Sequence, residues 1–203
     1  MIRRAPRSDE PGAGAPPVIG WIGTPTTAPY LHLLGDTLSA LARQHEFTCR
    51  FSGGGQGLAF HGVHIDQPEW ALDREIALFN TCDIGVYPMP NDDWARGKSG
   101  FKAIQFMACG VPVVASPVGI NREIIEHGEN GFLASTPAEW ERHLSALITD
   151  PALRRRIGAA GRRTVEARYS LGVNASHVAT ALRRTAASVA STAPVAASRE
   201  ERR

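Results

Sequence analysis

The sequence predicts an α/β protein built as one domain, with about six parallel strands and helices on both faces. Three observations predict it. Short apolar runs of strand length recur along the chain, and segments with apolar residues at helical spacing lie between them. Glycine- and asparagine-containing breaks separate the two kinds of segment. Hydrophobic residues make up 43% of the 203 residues, enough for a packed core. Strands that alternate with helices pair in parallel, wind right-handed and are covered on both sides.

The elements follow in order. Residues 1–17, rich in Pro, Gly, Ala and Arg, read as a linker or disordered tail. Residues 18–23 form a short strand, followed by a helix with Leu31, Leu34, Leu38 and Leu41 on one face. Residues 47–52 are the second strand, which runs into Gly53-Gly54-Gly55. The G-x-G-x-x-G pattern of a dinucleotide fingerprint is absent there, so these glycines read as a backbone turn. A weak third strand lies near residues 62–65, and a helix bearing Leu72, Ile76 and Phe79 leads to a strand at 83–89. A turn-rich loop with Pro88, Pro90, Asn91, Asp92 and Asp93 precedes Ser99-Gly100, which opens a helix over 101–109. Phe101, Ile104 and Ala108 are its expected buried stripe, and Gly110 suits its left-handed end.

Residues 111–115 form the next buried strand, and Asn121 is the expected cap of a short helix stopped by Gly128. Asn130-Gly131 turns into Phe132-Leu133-Ala134. Thr136-Pro137-Ala138-Glu139 is a capping box that starts a helix with Trp140, Leu144, Leu147 and Ile148 inward. Asp150-Pro151 opens another helix and residues 171–184 hold the last. Residues 185–203 are Ala/Ser-rich and expected to be disordered. The folded domain is therefore expected at 18–184. Its ligand belongs at the carboxyl ends of the strands, where the strand order reverses.

Of the 22 basic residues only two are lysine, Lys98 and Lys102, four positions apart in Arg96-Gly97-Lys98-Ser99-Gly100-Phe101-Lys102. A lysine is a compact point charge suited to a phosphate oxygen. Here the pair flanks a helix N-terminus, whose unpaired amides and dipole favour anions. The stretch therefore describes a phosphate-plus-hydroxyl site. Thr24, Thr26 and Thr27 follow the first strand; they either cradle a phosphate or cap the next helix.

Net charge is only +2 but unevenly spread. From residue 151 onward eleven arginines stand against three glutamates, a net of +8, which leaves −6 for the first 150 residues. The basic region reads first as a solvated helix face and second as a contact for an anionic membrane surface. It lacks interleaved aromatics, so nucleic-acid binding is not expected. Cys49, Cys82 and Cys109 have no metal-ligand spacing, and His61 and His64 have no completing ligands, so no metal is expected. There is no apolar signal-peptide core, and a cytoplasmic protein, peripheral at the membrane if the basic region docks there, is expected.

Several runs together carry a family resemblance. They are Cys82-Asp83-Ile84-Gly85-Val86-Tyr87-Pro88-Met89-Pro90, Lys98-Ser99-Gly100-Phe101-Lys102 and Met107-Ala108-Cys109-Gly110-Val111-Pro112-Val113-Val114-Ala115, then residues 121–133 and Arg168-Tyr169-Ser170. They resemble the donor-binding half of retaining glycosyltransferases of the GT-B fold, family 4 (group 1), over about residues 18–184. Such enzymes place two Rossmann-type domains across a cleft, the N-terminal one for acceptor and the C-terminal one for nucleotide sugar. The resemblance implies a single Rossmann-like domain, the C-terminal half, which uses a nucleoside-diphosphate sugar as donor substrate without metal or other cofactor. An acceptor-binding domain is expected to be separate or missing, and the chain inactive alone. The alternative is a non-catalytic nucleotide or sugar-phosphate binding module that works with a partner chain.

The donor-binding residues this implies are Gly23, Thr24, Thr26, Thr27, Arg96, Lys98, Ser99, Gly100, Phe101, Lys102 and Gln105; no catalytic residue is singled out. The family's Glu-x7-Glu motif falls on Gly97 and Gln105. Gln105 keeps hydrogen-bonding capacity toward a ribose without the charge, and Gly97 offers no side chain. Lys98 and Arg96 are expected to contact the diphosphate beside that gap.

Overall fold

The computed structural model describes residues 15–192; residues 1–14 and 193–203, including most of the expected N-terminal linker and the end of the expected tail, lie outside the described residues. Six parallel strands form one sheet in the order β3-β2-β1-β4-β5-β6. They are β1 (Val18–Ile22), β2 (Thr48–Ser52), β3 (Ile65–Asp66), β4 (Ile84–Tyr87), β5 (Val113–Ala115) and β6 (Phe132–Leu133). The order reverses between β1 and β4, which pair through Ile19 with Ile84 and Gly20 with Gly85.

Alternation along the central strands assigns the two faces. Ile19, Trp21, Ile84 and Val86 join one buried cluster with Leu31, Leu34, Leu38 and Leu41. Those leucines lie on a 3-10 segment, Ala28–Leu34, that runs into α1 (Gly35–Ala42), and all four are fully buried as expected. Trp140, Leu144 and Leu147 of α6 (Pro137–Thr149) complete the cluster, and α1 packs beside α6. The capping box is present: Glu139 N–H donates to Thr136 Oγ1, and Glu139 Oε2 accepts from Thr136 N–H.

On the other face Gly20 and Gly85 leave space for α4 (Phe101–Ala108). A Cβ on Gly85 would lie 2.5–2.8 Å from atoms of the Phe106 ring. Phe106 meets Phe79 of α2 (Glu75–Asn80) edge to face at 4.8 Å. The expected stripe of Phe101, Ile104 and Ala108 is wrong. Ala103, Phe106 and Met107 are the buried set, and Phe101 is 57% exposed. The sheet glycines select the face, because only there can a phenyl ring reach the backbone. Leu72 and Ile76 were likewise expected inside, but the short α2 turns only Phe79 inward and leaves both exposed.

Three further differences concern helix ends. Asp92 accepts from Ala95 N–H at 2.7 Å and caps an unforeseen helical turn, α3 (Asp93–Arg96), inside the expected loop. Asn121 is the first residue of α5 (Asn121–Ile124) rather than its cap, and its amide points inward to donate to Ser116 O at 3.0 Å. The final helix, α8 (Leu171–Thr192), continues eight residues beyond the expected limit at 184. α7 (Pro151–Arg168) crosses the first unit on small residues, Gly158 against Gly110 and Gly161 against Asn130 O at 3.0 Å. The chain divides into two compact units, one ending at Glu166 and the other beginning at Ala167. In the second, Asn174 Nδ2 donates to Arg168 O and Ser170 O at 2.9 and 3.0 Å and fixes the start of α8.

Candidate functional site

The loops after β1 and β4 meet where the strand order reverses, which is where ligands of such sheets bind. Between them lies a cavity of about 200 Å3 lined by residues 21–24, Thr27, Tyr30, residues 87–89, Lys98 and Lys102. Gly23, Thr24, Thr27, Lys98 and Lys102 are thereby brought together as the sequence suggested. A larger cavity of about 400 Å3 near the ends of β4, β5 and β6 contains none of the expected site residues, and both lysines line only the smaller one.

The threonine loop is a closed turn. Thr24 O accepts from the Thr27 and Ala28 amides at 2.9 and 3.0 Å, and Thr27 Oγ1 accepts from Thr24 N–H at 3.1 Å. Neither hydroxyl caps the following helical segment through a side-chain bond, so capping is not their role. The Thr24 amide is also already engaged, which leaves its hydroxyl, 3.3 Å from that of Thr27, at the cavity wall. Thr26 is exposed and stands outside the lining.

α4 begins at Gly100, whose φ of 66° lies in the left-handed region. A Cβ there would strike the Ile124 side chain and lie 3.1 Å from Asn121 Oδ1. Glycine is therefore required both by backbone angle and by space. The turn directs the first amides of α4, at Phe101 and Lys102, away from any partner within the helix. Ser99, Gly100 and Phe101 shape this helix mouth without lining the cavity.

The two lysines differ in their surroundings. Lys98 Nζ sits 5.9 Å from the Tyr30 ring centroid and 5.5 Å from that of Trp94, and it makes no ion pair among the described residues. Cation–π contacts of this kind hold an ammonium without consuming its charge. Lys102 Nζ instead donates to Glu75 Oε1 at 2.8 Å and lies 5.6 Å from the Phe79 ring centroid. Glu75 accepts further from Trp70 Nε1 at 3.3 Å and from Gln105 Nε2 at 3.2 Å. Burial opposes ionisation of Glu75, but the hydrogen bond and charge of Lys102, with the bonds from Trp70 and Gln105, hold its carboxyl below the usual range. Burial and the neighbouring Tyr30 push the Tyr87 phenol up, so it stays a proton donor on the cavity wall.

Two expectations are corrected here. Arg96 does not join Lys98: its guanidinium donates to Asn91 Oδ1 and Asp93 Oδ1, each at 3.0 Å, and secures the loop outside the cavity. Gln105 points its amide nitrogen at Glu75, and its Oε1 is buried without a hydrogen-bond partner. Glu75, Tyr30 and Trp94 were missed by sequence reasoning, because each reaches the lysines from a different element and no local spacing joins them. Among the described residues no group of three His, Cys, Asp or Glu side chains is placed to hold a metal ion. No disulfide links the three buried cysteines, and no described helix is long and apolar enough to cross a membrane.

Fold and site together define a doubly wound domain with a basic crevice at its switch point. Residues 16–150, more than half of the chain, match the profile of the family described as Glycosyl transferases group 1, and the chain belongs to that family. A D-inositol 3-phosphate glycosyltransferase from Arthrobacter sp. (strain FB24) is 30% identical over 137 residues, which cover 65% of this chain and 30% of that protein. Among solved structures, HepE from Anabaena in complex with UDP and glucose superposes with a TM-score of 0.66 at 21% identity, over 82% of this chain and 48% of that one. The C-terminal domain of a group 1 glycosyl transferase, LpcC, from Francisella tularensis gives 0.59 at 19% identity, over 78% of this chain and 88% of that one. The fold is thus the Rossmann-like α/β architecture of GT-B glycosyltransferases. The chain spans less than a third of the length of the curated relatives it matches.

Proposed function

We propose that this chain is the donor-binding, C-terminal half of a retaining glycosyltransferase that moves a sugar from a nucleoside diphosphate to an acceptor hydroxyl. The observation that carries the reading is the cavity at the switch point, where Lys98, Lys102 and the mouth of α4 face the turn at Thr24 and Thr27. Cations and helix amides are what a diphosphate leaving group requires as negative charge develops on it. HepE, a structural neighbour, was solved with UDP and with UDP-glucose, and the coverage of the LpcC C-terminal domain supports assignment to that half. By the family resemblance the reaction needs no metal. The acceptor binds on a second domain that forms the other wall of the cleft, on the same polypeptide or another.

The experiment is a thermal-shift screen of the purified chain against nucleotide sugars and nucleoside diphosphates of each base. A ligand at about 100 times its dissociation constant should stabilise the fold by about 2.7 kcal/mol. No shift with any of them would overturn the reading. A second reading, a nucleotide-binding module without catalysis, is favoured by one feature: Gly97 and a Glu75-tethered Gln105 stand where the family carries two glutamates. Transfer activity after addition of an acceptor-binding half separates the two.

A further inference from the structure

The mouth of the cavity carries two ammonium groups, but their net charge is not two. Glu75 approaches Lys102 from α2, and its side chain is only 16% exposed. Its two oxygens accept three hydrogen bonds, from Lys102, Trp70 and Gln105, so the carboxylate is well satisfied and stays ionised. The Lys102 side chain is 25% exposed and lines the cavity, so an anion in the cavity feels both members of the pair. Lys98 has only ring faces beside it and keeps its full charge. The site therefore presents about one net positive charge.

We propose that Glu75 is a specificity-determining residue that acts through Lys102. It sets the charge of the cavity so that the sugar-bearing nucleotide is favoured over the free nucleoside diphosphate. This rests on the donor-binding reading above. A terminal phosphate monoester loses its second proton near about pH 6, so above that pH the free diphosphate carries one negative charge more than its sugar ester. The added charge is repelled by Glu75 and finds Lys102 already paired. The consequence is a site that accepts the intact donor and releases the diphosphate product.

The variant that tests this is Glu75→Gln, which is isosteric and preserves an acceptor for Lys102 and Trp70. Its new amide can donate to Gln105 Oε1 once that carboxamide turns over, so the buried oxygen gains a partner. Calorimetry at low ionic strength would compare a nucleoside diphosphate with its glucose ester, using UDP and UDP-glucose first and the guanosine and adenosine pairs next. One ligand charge about 4 Å from one protein charge shifts affinity about fivefold even with the full screening of water. Glu75→Gln is therefore expected to tighten the free diphosphate about fivefold relative to the ester, and added salt should shrink that difference. A damaged fold would weaken both ligands together and could not produce a gain.

Lys102→Gln provides the opposite arm. It leaves the Glu75 charge uncompensated and should shift the preference further toward the ester, and it keeps the test intact if Glu75→Gln fails to fold. Glu75→Asp retains the charge and should keep the wild-type ratio. An unchanged ratio in Glu75→Gln, or in Lys102→Gln if that is the variant that folds, would overturn the role of Glu75 while leaving the donor-binding reading in place. A wild-type chain that binds none of the diphosphates or esters would overturn both.

Discussion

Lys102 Nζ lies 2.8 Å from Glu75 Oε1, a pair drawn from two helices and 27 positions apart in the chain. Lys98, four residues before Lys102, has no such partner and rests against Tyr30 and Trp94. Two lysines that look equivalent in sequence are therefore unequal in available charge, and the first expectation follows from that inequality.

Lys98→Ala should weaken nucleoside diphosphate binding more than Lys102→Ala. Loss of a charged hydrogen bond costs roughly 1.5–3 kcal/mol, about ten- to more than a hundredfold in affinity. In Lys102→Ala part of that loss is offset by exposing the ligand to one fewer cation that was already paired. Calorimetric titration of both variants with the same diphosphate decides the order, and equal affinity of wild type and Lys98→Ala would refute it.

Gly100→Ala should destabilise the domain and blunt ligand binding together. An alanine at φ 66° costs about 1–3 kcal/mol in backbone strain, and its methyl would press on Ile124. Urea unfolding should show the loss, with the slope against urea unchanged. A variant as stable as wild type would show that the helix start can relax.

Stability should fall as the pH drops below the ordinary histidine range. His143 is 6% exposed, stacks on Phe132 at 4.7 Å and meets His127 at 5.0 Å. Burial first, then the charges of Arg142 and His127, hold its pKa below the ordinary value, with Glu139 opposing. The unfolded chain therefore takes up the proton first, at about pH 6.5. The stabilising contribution is complete above that pH and is lost as the pH falls toward the lower value of the folded state. Urea midpoints measured from about pH 7.5 to 5.5 should decline, and His143→Phe should flatten the decline. The lowered carboxyls of Glu75 and Glu139 lose their contribution only at more acidic pH, so the windows do not merge.

The chain should bind donor without transferring sugar until an acceptor-binding half is supplied. It spans 48% of HepE, and orientation of acceptor against donor can lower a barrier by roughly 7–11 kcal/mol only when both are held. Transfer assays with the chain alone and with an added acceptor domain test this. Robust transfer by the 203-residue chain alone would contradict it.

The sheet was legible because its strands are short apolar runs set between breaks, and the leucines of α1 and the Thr136 capping box signal themselves locally. The lysine pair was legible because the two stand alone among arginines. What stayed hidden depends on contacts between distant segments. The exposure of Phe101 follows from glycines on strands elsewhere in the chain, which pull the opposite side of α4 inward. Arg96 looked like a phosphate ligand because nothing in its neighbourhood announces that Asp92 would cap a turn and deliver Asn91 and Asp93 to its guanidinium. Glu75 sits in a segment whose apolar spacing suggested only packing, and Leu72 and Ile76 do not even supply that.

The seat of Phe106 on Gly85 ties chemistry to architecture. α4 is eight residues long, a rod of about 12 Å, with its phenyl ring wedged against a central strand near one end and the anion-facing amides and Lys102 at the other. It behaves as a lever whose fulcrum is the missing side chain of Gly85. A single methyl group at that fulcrum would tilt the rod and carry Lys102 away from both Glu75 and the crevice. The interior of this domain and its binding edge are therefore one mechanical object, and neither can drift in sequence without the other.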